Sequence, residues 1–73
     1  MQLDAPILLD VRSIAALLSL SPATVRRLDS TGRIPAPVRI GGSVRWRRDE
    51  IERWTAAGCP DRERWTVIQA AAV

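Results

Sequence analysis

Histidine, lysine, tyrosine and phenylalanine are all absent from this 73-residue chain. Without histidine, lysine or tyrosine, most routes to general acid–base or nucleophilic catalysis are closed. An enzyme is therefore not expected. A single cysteine, Cys59, cannot form an internal disulfide, and with no histidine beside it cannot build a zinc site. It reads instead as a small buried hydrophobe, and neither cofactor nor metal is expected. Long apolar runs are missing too: nothing approaches the ~20 residues of a membrane span. The start MQLDAP carries no basic n-region of a signal peptide. The chain reads as soluble and cytoplasmic. At this length it makes one domain, residues 1–73, and a domain so small buries only about 60% of its unfolded surface.

What is present is arginine. All eleven basic residues are arginine, and eight of them (Arg12, Arg26, Arg27, Arg33, Arg39, Arg45, Arg47, Arg48) lie between residues 12 and 48. The only acid in that segment is Asp29, so it carries a net +7. Each flank carries −2, which hides this charge within a total of +3. A basic stripe of this kind is the electrostatic footprint of a nucleic-acid binder. The planar guanidinium suits phosphates and guanine edges.

The first helix is predicted at about residues 11–18. Asp10 is its N-cap, and Val11, Ile14, Ala15 and Leu18 form one apolar face. After a short turn at Ser19-Leu20, Ser21-Pro22 signals a second helix start, with serine at the N-cap and proline at N1. Val25 and Leu28 face inward, Gly32 stops the helix, and Ile34 folds back onto its end. Two helices so closely joined, the second basic on its outer face, form a helix-turn-helix pattern. In VRIGGSVRWRR the apolar residues Val38, Ile40, Val44 and Trp46 alternate with arginines. A three-residue loop, Gly41-Gly42-Ser43, would pair Ile40 with Val44 and Arg39 with Arg45. That gives a hairpin with one apolar and one arginine face. Asp49 to Glu52 resembles a capping box for a third helix that buries Ile51 and Trp54 and ends at Gly58. Residues 60–72 form a fourth helix with Trp65, Ile68 and Ala72 on one side, although Thr66-Val67-Ile68 is β-branched. The final residues, 70–73, are expected to fray.

Helix, turn, helix, glycine, proline, arginine hairpin and capped helix occur here in order. The stretch 8–54 resembles the MerR-like winged helix-turn-helix domains of phage excisionases and AlpA-type prophage regulators. The resemblance rests on S-P-A-T-V-R-R-L (21–28), G-R-I-P (32–35), V-R-I-G-G-S-V-R-W (38–46) and R-R-D-E-I-E-R-W (47–54). It implies a mainly α fold with a small β-hairpin, core 8–58 and a tail 59–73. It also implies a bacterial or phage-encoded, nucleoid-associated protein that binds double-stranded DNA. Carried over by position, Ser21, Thr24, Arg26 and Arg27 would lie on the DNA face of a recognition helix at about 22–31. Gly41, Gly42 and Ser43 would form the wing tip, with Arg39, Arg45 and Arg47 beside it. Arg33, just after the glycine that stops the second helix, suits a phosphate contact as well as a structural role. The family usually has a bulky or aromatic residue where Arg26 stands, so arginine there shifts base preference.

The implied role is a recombination directionality factor that biases an integrase toward excision, or else a transcriptional regulator of a mobile element. Lacking a dimerisation helix, copies would meet head to tail on DNA, arginines against Asp49, Glu50 and Glu52. Plainer readings stand beside these. Arg26 and Arg27 suit a solvated helix face, Arg45 and Arg47 suit edge-strand charges, and Arg33 suits a helix end. Trp46 and Trp54 belong in a core more readily than stacked on bases. The tail could instead dock a protein partner, if residues 61–72 expose an apolar face around Trp65 and Ile68.

Overall fold

The computed structural model describes residues 6–71. Among them are strand β1 (Leu8–Leu9), helices α1 (Val11–Leu18) and α2 (Pro22–Ser30), and strands β2 (Val38–Ile40) and β3 (Ser43–Arg47). Helices α3 (Arg48–Ala56) and α4 (Arg62–Ala71) follow. The architecture is a winged helix-turn-helix.

Local chemistry sets the first half. Asp10 accepts the Ser13 amide at 2.8 Å and opens α1. Ser21 accepts the Thr24 amide at 3.1 Å and opens α2, with Pro22 at N1. Between them Ser19 turns the chain at φ 58° and ψ 42°, and the Leu20 amide returns to Ala15 O at 2.8 Å. At the end of α2 the Gly32 amide reaches Asp29 O (3.2 Å) and the Arg33 amide reaches Leu28 O (2.8 Å). That is a Schellman motif with Gly32 at φ 69°, and it tucks Ile34 into the core. α3 closes in the same way through Gly58 and Cys59, with Cys59 N donating to Trp54 O at 3.1 Å.

The wing departs from expectation. Val38 pairs with Arg45, Arg39 with Val44 and Ile40 with Ser43, so the loop is the two residues Gly41-Gly42. Gly41 has φ 61° and Gly42 does not have positive φ, the pattern of a type II′ turn. Such a turn matches the right-handed twist of the strands. At the free tip there is no core to sort the faces, so twist decides the register. Hence Arg39 shares a side with Val44, Ile40 is 57% exposed, and the faces are mixed rather than divided into apolar and arginine. The other edge of β3 is filled by β1, through Leu8↔Arg47 and Leu9↔Trp46, giving an antiparallel sheet of order β1-β3-β2.

The start of α3 also differs. β3 runs straight into the helix, so Arg47 occupies the N-cap position with no side-chain cap, and Asp49 lies inside the first turn. The Arg48 amide, one of the donors that a helix start leaves open, is satisfied by Ile7 O at 2.9 Å. Asp49 and Glu50 still favour this helix end through its dipole. Glu52 meets Arg48 instead, at 3.4 Å. Cys59, expected to be buried, is exposed in the turn after α3.

Leu9, Ile14, Ala15, Val25, Ile34, Ile51 and three tryptophans form the core. Each indole removes about 150–250 Å² of apolar surface from water, which suits a chain without Phe or Tyr. Each also finds an acceptor for its N–H: Trp46 on Pro35 O (2.7 Å), Trp54 on Pro60 O (2.7 Å) and Trp65 on Glu50 Oε2 (3.0 Å). α4 forms as expected despite its β-branched run, and it lays Trp65 and Ile68 against the core. The face that a docking tail would present is thus turned inward, leaving Val67 exposed. Ala72 lies outside the described residues.

Candidate nucleic-acid interface

The second helix and the wing meet at an open cleft of about 380 Å³ beside the start of α1. Arg12, Arg26 and Arg45 line it, together with Gly42 and Ser43. These residues come from three elements, and the fold gathers their charge onto one side. Arg12 is a cleft residue that no local motif of the sequence singles out. Its signal was membership of the +7 segment, and its place in the first turn of α1 brings it beside the wing.

The other expected residues divide. Ser21 and Thr24 sit at the head of α2, their hydroxyls 2.9 Å apart, so Ser21 serves the helix start as well as its surroundings. Arg27 is exposed next along α2 but does not line the cleft. Gly41 and Arg39 are exposed at the wing tip and its flank. Arg45 is half-buried, and its Nη1 donates to Val44 O at 2.8 Å. Arg47 lies at the root of the wing, lining an opening with Ile7, Asp49 and Glu52 instead of the cleft. Arg33 is likewise displaced, lining an opening with Asp61 and Glu63 beyond the far end of α2.

Acids modulate this surface. Asp10 lines the cleft. Its hydrogen bonds from Ser13, the backbone amide first, hold its carboxyl below the usual carboxylate value, and Arg45 and Arg12 add to the effect. Asp29 is held by Arg62 of α4, with Nη2 2.9 Å from Oδ1. Glu50 turns inward, accepting both Trp65 Nε1 and Gln69 Nε2 at 3.0 Å. Glu50 is thereby half spent, while Asp49 and Glu52 remain exposed on α3. Among the described residues no cluster of side chains could hold a metal ion, and no helix is long and apolar enough to cross a membrane.

Comparison with known proteins agrees with the fold. A helix-turn-helix domain family matches residues 8–59, more than two thirds of the chain. The protein belongs to this helix-turn-helix family, and the motif is a DNA-binding one. No curated protein and no solved structure matches the chain.

Proposed function

We propose that the protein binds duplex DNA sequence-specifically and acts as an excisionase, an architectural recombination directionality factor. The observation that carries DNA binding is the cleft where Arg12, Arg26 and Arg45 converge beside the wing. α2 enters the major groove with Ser21, Thr24, Arg26 and Arg27 toward the bases. The wing residues Arg39, Gly41, Gly42, Ser43 and Arg45 follow the adjoining minor groove or phosphates. Arg33 and Arg47 lie farther out and meet backbone only. Residues 1–73 work as one unit, with core 8–58 and the tail 59–73 packed on it.

The excision role rests on the resemblance of residues 8–54 to phage excisionases. One such module covers about 600–1,000 Å², little for selective binding alone. Copies therefore line up head to tail along the duplex, the arginine surface of one against Asp49 and Glu52 of the next, and present the site to an integrase. Footprinting on the attachment site and promoter of the host element, with an excision assay, tests this. Extended protection of the attachment site with stimulated excision is expected. Protection confined to the promoter would make the protein a transcriptional regulator. Absence of protection at both would sink the reading.

A further inference from the structure

Arg62 makes more directed contacts than any arginine of the basic segment, yet it lies beyond residue 59, where the family match ends. Its backbone N–H donates to Gly32 O at 2.9 Å. Its Nε donates to Ile34 O at 3.0 Å. Its Nη2 reaches both Asp29 O (3.2 Å) and Asp29 Oδ1 (2.9 Å). One residue thus grips the last turn of α2, the glycine that ends it and the strand-bound segment after it. The next residue in that segment, Pro35, is buried, and its carbonyl holds the indole of Trp46 in β3. A continuous path therefore runs from the recognition helix through Arg62 to the wing. Further along the same side of α4, Trp65 and Gln69 fix the helix to α3 through Glu50.

The pair has an electrostatic consequence as well. Asp29 is the only acid between residues 12 and 48. It stands on α2, one turn from Arg26. Left alone, its carboxylate would oppose phosphate at the edge of the DNA-facing surface. The guanidinium of Arg62 neutralises it where both side chains are only one third exposed. Arginine is suited to this task because its planar fork can hold a carboxylate and two carbonyls at once, whereas lysine supplies a point charge.

We propose that Arg62 is a positioning residue for DNA recognition: it sets the recognition helix against the wing, and the tail thereby determines specificity. The proposal rests on the DNA-binding reading given above. Its test uses the full chain with two duplexes of equal length, one selected by the wild type from a random pool and one scrambled. Arg62→Lys keeps the charge but not the fork. Its ratio of selected to scrambled affinity should fall about tenfold, the discrimination of about one base contact. Its affinity for the scrambled duplex should stay within about twofold of wild type, because counterion release depends on charge. Arg62→Ala should lose the ratio and also weaken scrambled binding, and Asp29→Asn added to it should restore the second effect only. Thermal melts run in parallel. A folded Arg62→Lys protein with wild-type discrimination overturns the proposal, whether or not Arg62→Ala folds. If neither variant folds, Arg62 is required for the fold as a whole and not for recognition in particular, and the proposal is overturned. A wild type that binds neither duplex contradicts the DNA reading instead.

Discussion

Arg26 and Arg27 are neighbours in sequence but stand about 100° apart around α2, and of the two only Arg26 lines the cleft. Arg26→Ala should therefore reduce affinity for a selected duplex more than for a scrambled one, by about 1–3 kcal/mol of discrimination. Arg45→Ala should weaken both more evenly. Competition titrations read this directly, and the opposite ranking would move base reading to the wing. Asp10 gives a pH dependence. Its carboxyl titrates below the ordinary value because it caps α1. The stability it contributes is complete above the ordinary carboxylate range and is lost as pH falls through the lowered value. Asp10→Asn should melt below wild type at neutral pH, and the gap should close in strong acid. A gap independent of pH would contradict this. Such residues were legible in the sequence because their signals are local: Asp10, Ser21 and Gly32 each act within four residues of chain. Cys59 was not. Its apolar character argued for burial, but the turn after α3 gives it φ 57° at the surface.

At the scale of elements, the helices were readable from period and caps, and the two-residue strand β1 was not. It is held by its pairing with β3, 39 positions away in the sequence at Leu8↔Arg47. That contact also moved the start of α3, since Ile7 O takes the amide that a capping box would leave free. The wing shows two local rules in conflict. Separation of faces argued for three loop residues; turn geometry chose two. This makes the glycines unequal. Gly41→Ala forces a side chain into positive φ, at a cost of about 1–2 kcal/mol. No atom lies within 4 Å of a Cβ at either position, so crowding adds nothing. Gly42→Ala should therefore leave the melting temperature nearly unchanged. Equal effects at the two positions would point to a different turn.

For the whole molecule, the charge asymmetry pointed to a nucleic-acid partner, while the fold class and duplex DNA came from the order of elements and the resemblance it carries. The sequence did not carry the way α4 closes the structure. The period of Trp65 and Ile68 argued for a helix with one apolar side, but not for what covers it. The bond between Arg62 and Asp29 spans 33 residues and leaves no local pattern. The central claim is that the fold gathers Arg12, Arg26 and Arg45 beside the wing, with Arg27 on the same helix as Arg26 and Arg39 on the wing, into a DNA-binding surface. The most direct measurement is the affinity of the wild-type protein for a duplex across a range of salt. With about 4–6 arginines on phosphates, log K should fall against log salt with a slope of about −4 to −5. A flat dependence, or no binding at micromolar protein, would contradict the account.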